Sequence, residues 1–148
     1  MEDDLEYQKY LTKVKDYGGW VLEYVPKDLR TEEVCLIAVK QNPYALEFVP
    51  EEFKTEELCE LAVNDGHWAL EFVPEDLKSP ELCLIAVGKN GYQLAYVPED
   101  MRTYELCEIA VKNEDYGCLH SFESMPEEFQ KELAEKYDVK LPEKGKDR

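Results

Sequence analysis

The feature that most constrains the fold of this chain is an internal repeat with a period of 24 residues. Val-Pro pairs return at this period from Val25-Pro26 to Val97-Pro98, and Ala-Val pairs return from 38–39 to 110–111. One cysteine keeps the same phase in each copy: Cys35, Cys59, Cys83 and Cys107. Four copies therefore run from residue 20 to 115 without an insertion or deletion. Such a chain is expected to stack its units and to spread one core along the stack.

A degenerate fifth copy follows the four regular ones. Met125-Pro126-Glu127-Glu128-Phe129 resembles Val49-Pro50-Glu51-Glu52-Phe53 but lies a few residues late. Terminal helices are predicted over Leu5–Val14 and Gln130–Tyr137, as caps that stacked repeats require. The predicted organisation is a capping helix (1–19), four repeats (20–115), a fifth repeat with a capping helix (116–141) and a flexible tail (142–148).

Each copy is predicted to contain one helix of about ten residues. A hydroxyl residue precedes the helix in every copy and can cap its first turn: Thr31, Thr55, Ser79 and Thr103. The helix is expected to end near Asn42, Gly66 and Gly91, because these residues tolerate a left-handed conformation.

A shorter helix, such as Tyr44–Val49, should follow, and a single turn begun by Pro50 should come next. We therefore predict an all-α fold, a short α-solenoid of helix–turn–short-helix repeats with capping helices. The period is too short for paired helices of the tetratricopeptide type. A leucine-rich-repeat horseshoe, with a strand over residues 46–49, is the alternative, although the ladder of that class is missing.

The repeat columns resemble a family of short α-helical repeats of unknown function, found in bacteria and large DNA viruses. The third copy carries the pattern as Ala69-Leu70, Val73-Pro74-Glu75-Asp76-Leu77-Lys78, Glu81, Ala86-Val87 and Asn90-Gly91. The proline after valine and the regular cysteines depart from it. The resemblance implies a helical repeat architecture over residues 20–115 and implies no catalytic residues.

The residues that usually carry catalysis form no constellation in this sequence. The four column cysteines are predicted to be buried thiols, because helices packed 8–10 Å apart are too distant for disulfides. Cys118 and His120 are neighbours in an irregular segment, and a hydrolase that uses them is a weak alternative. We predict a protein that is not an enzyme, with no catalytic residues, no metal site and no cofactor.

Acidity excludes several classes of partner. The formal net charge is −17, which disfavours direct binding to nucleic-acid phosphates or to an anionic membrane. The acidic start of the chain is unlike a signal peptide, and no apolar run has the length of a membrane span. Unpaired thiols fit a reducing compartment, so a cytoplasmic location is expected.

The acidic and aromatic columns are the candidate partner-binding residues. Stacking should align the carboxylates into stripes, which either attract a basic partner or serve only solubility and the helix dipoles. The candidate carboxylates are Glu23, Asp28, Glu47, Glu51, Glu52, Glu71, Glu75, Asp76, Glu99 and Asp100. The candidate aromatic anchors are Trp20, Tyr44, Trp68 and Tyr92, for which core packing is the other interpretation.

Two functional hypotheses follow from these columns. The first is a non-enzymatic protein–protein interaction module whose acidic face binds a basic protein or peptide. The second is a nucleic-acid mimic that inhibits a DNA- or RNA-binding enzyme, for example an anti-defence protein of a mobile element. A monomer or weak oligomer is expected.

Overall fold

The computed structural model describes residues 2–113 and 119–143, and these residues form helices and turns with no β-strand among them. The α-helices are α1 (Glu2–Tyr17), α2 (Glu32–Gln41), α3 (Glu56–Asp65), α4 (Pro80–Lys89), α5 (Tyr104–Lys112), α6 (Leu119–Glu123) and α7 (Glu127–Lys136). The longer 3₁₀ helices are Gly19–Tyr24, Pro43–Phe48, Ala69–Phe72 and Gly91–Tyr96. Single 3₁₀ turns span Lys27–Leu29, Glu51–Phe53, Glu75–Leu77 and Glu99–Met101. The chain divides into two compact units, Met1–Ser79 and Pro80–Arg148.

The order of elements in each copy confirms the predicted all-α solenoid class of helix–turn–short-helix repeats. The strand required by a leucine-rich repeat is absent from residues 46–49, where the 3₁₀ helix Pro43–Phe48 runs into Val49. The Val49 N–H donates to the carbonyl oxygen of Leu46 at 3.2 Å, which closes the last turn. That alternative is therefore wrong.

The predicted hydroxyl caps are present at three helix starts. The Thr31 Oγ1 atom accepts a hydrogen bond from the backbone N–H of Val34 at 3.4 Å. Thr55 and Thr103 cap α3 and α5 in the same way, each at 3.3 Å. Each cap satisfies one of the backbone N–H groups that a helix start leaves without an intrahelical partner.

The helices end near Asn42, Gly66 and Gly91 as predicted, but these residues do not take the left-handed conformation that was the reason for the prediction. Asn42 has φ −147° and Gly66 has φ −112°, and Gly18 is the glycine with positive φ in the described residues. The Asn42 Oδ1 atom instead accepts a hydrogen bond from the Tyr44 N–H at 3.1 Å and thereby starts the next 3₁₀ helix. Gly66 is needed for space, since a Cβ there would lie 2.8 Å from the Pro43 Cβ atom.

The core of each unit comes from repeat columns that point inward. In α2, Val34, Cys35, Ala38 and Val39 are fully buried, while Ile37 is half-buried. In α4 and α5 of the second unit, the equivalent four positions are buried again: Leu82, Cys83, Ala86, Val87, Leu106, Cys107, Ala110 and Val111. Each of the four longer 3₁₀ helices adds one deeply buried leucine: Leu22, Leu46, Leu70 and Leu94. Each helix therefore buries a face and leaves its acidic first turn in solvent.

The terminal helices differ from the predicted bounds. Helix α1 is longer than predicted and packs on α2 and on the 3₁₀ helix Gly19–Tyr24. Helix α7 begins at Glu127, because Pro126 starts it and the Gln130 N–H bonds back to the Pro126 carbonyl at 3.3 Å. It packs on α5 in the second unit.

Candidate functional site

The candidate carboxylates lie on the short elements between the long helices. Each Val-Pro pair ends a 3₁₀ helix and begins a 3₁₀ turn; for example, the Phe53 N–H donates to the Pro50 carbonyl at 2.9 Å. The apolar residue that ends the turn is half-buried, as at Phe53, and its side chain packs the turn against the protein. Its two preceding residues, Glu51 and Glu52, consequently face solvent.

All ten candidate carboxylates are exposed, whichever column they belong to. In the first unit, the 3₁₀ helices Gly19–Tyr24, Pro43–Phe48 and Ala69–Phe72 contact one another in that order. Glu23, Glu47 and Glu71 therefore lie on three neighbouring short helices. The second unit holds only Glu99 and Asp100 of the ten, because Ala95 stands where its copy would continue the Glu23 column.

Two of these carboxylates have a basic partner in their own copy. Glu51 pairs with Lys54 at 2.7 Å, and Glu75 pairs with Lys78 at 2.6 Å. Both lysine side chains are nearly buried, at 8% and 4% exposure, while the glutamates remain about three-quarters exposed. These two glutamates therefore carry less free charge toward a partner than the other candidates do.

A basic column, which the sequence interpretation did not treat as functional, faces inward, and its two arginines bind backbone carbonyls. Arg30 donates from Nε to the Val25 carbonyl at 2.8 Å and from Nη2 to the Glu23 carbonyl at 3.1 Å. Its Nη1 reaches the Phe48 carbonyl of the next copy at 2.8 Å. The guanidinium thus satisfies the carbonyl end of one 3₁₀ helix and ties it to the following one.

Arg102 repeats this arrangement in the second unit. It donates to the Val97 carbonyl at 2.8 Å, to the Ala95 carbonyl at 3.3 Å and to the Ser124 carbonyl at 2.7 Å. Ser124 directly precedes Met125-Pro126, as Phe48 precedes Val49-Pro50. The signal in the sequence was a cation at the fourth position after each Val-Pro pair: Arg30, Lys54, Lys78 and Arg102.

The candidate aromatic anchors are partly in solvent. Trp20 is 54% exposed, Trp68 43% and Tyr44 39%. Tyr92 is half-buried, and its ring centroid lies 5.4 Å from that of His120. The rings of the first unit therefore offer apolar surface beside the carboxylates of the same short helices.

The column cysteines are buried free thiols, as predicted. Burial raises the pKa of the Cys35, Cys59 and Cys107 thiols to about 11, although a nearby cation opposes this in each case. The Cys35 thiol also donates weakly to the Arg30 carbonyl at 3.8 Å. Such thiols stay protonated near neutral pH and are poor nucleophiles.

The remaining chemical candidates are limited. Cys118 lies outside the described residues, while His120 is exposed and its Nδ1 lies 4.0 Å from Glu123 Oε2. Within residues 2–113 and 119–143, no three His, Cys, Asp or Glu side chains are placed to hold a metal ion. Among the helices of the described part, none combines the length and apolar composition needed to cross a bilayer.

Comparison with known proteins gives a family and no activity. The model of a family described as "Domain of unknown function (DUF4116)" matches residues 11–54 and 55–102. The second segment covers two whole periods and begins at Thr55, the residue that caps α3. No curated protein and no solved structure matches the chain. The predicted resemblance to a repeat family of unknown function is thereby confirmed, while its distribution among organisms stays a prediction.

Proposed function

The chain belongs to the DUF4116 family, whose function is unknown, and we propose that it is a non-enzymatic protein–protein interaction module that binds a basic protein or peptide. The observation that carries this proposal is the contrast in the repeats between exposed carboxylates and one basic column that faces inward. All ten candidate carboxylates are exposed, whereas the basic column turns inward. The four residues of this column therefore contribute less positive charge to the surface than the sequence count implies.

The arginines show how this contrast arises. The three bonds that each of Arg30 and Arg102 makes to backbone carbonyls hold the guanidinium against the protein. The side chains of Lys54 and Lys78 are likewise nearly buried, and each pairs with a glutamate of its own turn, Glu51 and Glu75. An excess of exposed carboxylates attracts a basic partner over a distance of about one Debye length, roughly 8–10 Å at physiological salt.

We place the face in the first unit, on the short helices that carry Glu23, Glu47 and Glu71. These helices are neighbours, and the half-exposed rings of Trp20, Tyr44 and Trp68 stand beside the carboxylates in the sequence. Charge would bring the partner in, and aromatic surface would hold it. The protonated, buried cysteines support a role without catalysis and a reducing, cytoplasmic setting.

The test uses an acetylated peptide of alternating lysine and glycine as the basic probe. A triple variant, Glu23→Gln with Glu47→Gln and Glu71→Gln, should weaken binding by about tenfold at low salt, with the wild-type affinity also falling steeply as salt rises. The matched control changes Glu128, Glu135 and Glu143 to Gln, which removes the same charge from exposed positions of the second unit. Equal losses in both variants would show a general charge effect and contradict the assigned face.

A nucleic-acid mimic is the second candidate, favoured by the regular succession of exposed carboxylates on three neighbouring short helices. In this case the basic partner is a DNA- or RNA-binding enzyme. Duplex DNA should then compete with the protein for that enzyme, and the triple variant should lose the competition. Simultaneous binding of DNA and this protein would reject the mimic and leave the more general interaction module in place.

A further inference from the structure

A pocket lined by aromatic rings lies at the beginning of the first unit. Its volume is about 350 Å³, and its walls come from α1 and the 3₁₀ helix Gly19–Tyr24. The residues that line it are Tyr10, Lys13, Tyr17, Trp20, Val21 and Tyr24. We call it the N-terminal aromatic pocket.

The geometry of the rings is set locally. Tyr10, Lys13 and Tyr17 share one face of α1, because they are spaced three and four residues apart. Trp20 and Tyr24 meet edge to face, with ring centroids 5.9 Å apart and planes at 86°. The Trp20 indole N–H donates to the Tyr17 carbonyl at 2.8 Å, so its ring plane is held in place.

These rings are not needed for the core of the unit. Leu11, Val14 and Leu22 are buried beside them and supply the core contacts, whereas Tyr17 is 68% exposed and Tyr24 is 63% exposed. Together with Trp20 they line a pocket whose walls are mostly apolar.

The chemistry of the pocket favours a cation. The faces of aromatic rings are negative, and the Lys13 Nζ atom already lies 5.3 Å from the Tyr10 ring centroid. Glu6 is on the same face of α1, one turn before Tyr10, and Glu23 directly precedes Tyr24 in the sequence; both are exposed. Among the lining residues the charged one is Lys13, so a cationic ligand has to displace its ammonium group, and the ring faces and the two exposed glutamates nearby in the sequence favour that exchange.

We propose that the N-terminal aromatic pocket binds an arginine side chain of the partner, with the guanidinium stacked on Trp20 and the Lys13 ammonium displaced from the pocket. Arginine fits better than lysine, since its planar guanidinium is weakly hydrated and stacks on aromatic faces. The proposal rests on the proposed function, because it supplies the anchor for the basic partner.

The first experiment asks whether charge matters at this pocket. In a Trp68→Phe background, Trp20 is the single tryptophan, and its fluorescence reports on the pocket. The probes are acetyl-Gly-Arg-Gly-amide and the same tripeptide with citrulline, which has a similar shape and no charge. We expect the arginine peptide to bind about fivefold more tightly, in the range of a partly exposed cation–π contact. Equal affinities would overturn the proposal.

Variants then locate the site by nuclear magnetic resonance titration with the arginine tripeptide. Trp20→Ala should abolish the saturable shifts, whereas Trp68→Ala, the same residue in the same column of a later copy, should keep them. Lys13→Gln should raise the affinity about two- to fivefold, because a competing cation is removed. An unchanged affinity in Lys13→Gln, or equal losses in both tryptophan variants, would contradict the assignment.

The two proposals can fail separately. If the arginine tripeptide does not bind while the lysine–glycine peptide still binds in a salt-dependent way, the proposed arginine pocket is rejected and the proposed acidic face is retained. If the tripeptide binds and the affinity for the lysine–glycine peptide is the same in the triple glutamate variant as in the wild type, the proposed pocket is retained and the proposed acidic face is rejected.

Discussion

The two ends of the chain are closed in different ways. At the first end, Gly19 packs so closely on α2 that a Cβ there would lie 2.0 Å from the Ala38 carbonyl oxygen. Side chains add to this backbone contact, since the Tyr7 hydroxyl donates to Glu33 Oε2 at 3.0 Å and Gln41 Nε2 donates to the Lys15 carbonyl at 3.0 Å. At the second end, side chains close the unit, as Lys136 and Tyr137 of the α7 region both bond to Glu108 of α5.

The aromatic residues of the two ends also differ. At the second end, Tyr104 and Phe129 pack edge to face at 5.5 Å and are half-buried. At the first end, Tyr17, Trp20 and Tyr24 are largely exposed. The comparison teaches that a tyrosine can pack between two helices, as Tyr104 does, or remain available for a ligand, as Tyr17 and Tyr24 do.

The largest effect is expected from Gly19→Ala, which breaks the backbone closure of the first end. The added methyl group would overlap the Ala38 carbonyl oxygen, a backbone atom that cannot rotate away. We expect a loss of about 3 kcal/mol or more in the free energy of unfolding, measured by urea denaturation. Gly88→Ala is the control, because a Cβ at that position in α4 meets nothing within 4 Å and should be neutral or slightly stabilising. Equal midpoints for the wild type and Gly19→Ala would contradict this view of the first end.

The next effect concerns the link from the fourth copy to the residues around Ser124. Arg102→Met keeps the length of the side chain and removes three hydrogen bonds to carbonyls. We expect a loss of about 2 kcal/mol in unfolding free energy. The loss should be smaller for Arg102→Lys, which keeps the charge but lacks the several N–H donors of the planar guanidinium. Arg30→Met should show a similar loss in the first unit, since its bonds are equivalent. A loss below about 0.5 kcal/mol in both variants would mean that water replaces these donors freely.

The sequence predicted the regular part of this fold because the signals there are local. The caps at Thr31 and Thr55 and the buried cysteine column follow from residue type and period alone. The positions of the helix ends were predicted correctly but for the wrong reason, since Gly66 provides space beside the Pro43 Cβ atom and does not form a left-handed turn. The repeat pattern of the sequence gives no information on the distance between Gly66 and Pro43, because the fold sets it.

The candidate site was predicted only in part, for a related reason. Exposure of the carboxylates was expected from their columns, but the inward direction of Arg30 and Arg102 depends on carbonyls that the fold brings to them. Tyr10 and Tyr17 lie outside the repeats, so no column pointed to the aromatic pocket. Repetition in sequence identifies what the copies share, and the ends of the array are where they differ.

The smallest effect, and the one most dependent on conditions, is expected at the side-chain closure of the second end. Hydrogen bonds from Lys136 at 2.5 Å and from Tyr137 at 2.7 Å hold the pKa of Glu108 below its usual value. A carboxyl with a lowered pKa in the folded state adds stability that is present above its unfolded pKa, about 4.3. That stability is lost as the pH falls through the lower, folded value.

Glu108→Gln should therefore destabilise the protein by a constant amount between pH 7 and about pH 5, and the difference from wild type should shrink below about pH 4.3. Lys136→Met removes the first cause of the lowered pKa, so a double-mutant cycle with Glu108→Gln isolates the pair. Its coupling energy, from urea denaturation at each pH, should fade over the same acidic range. A coupling energy that stays constant down to pH 3 would assign this closure to packing around Tyr137 instead of to the ion pair, and the two ends would then differ less than the bonds to Glu108 suggest.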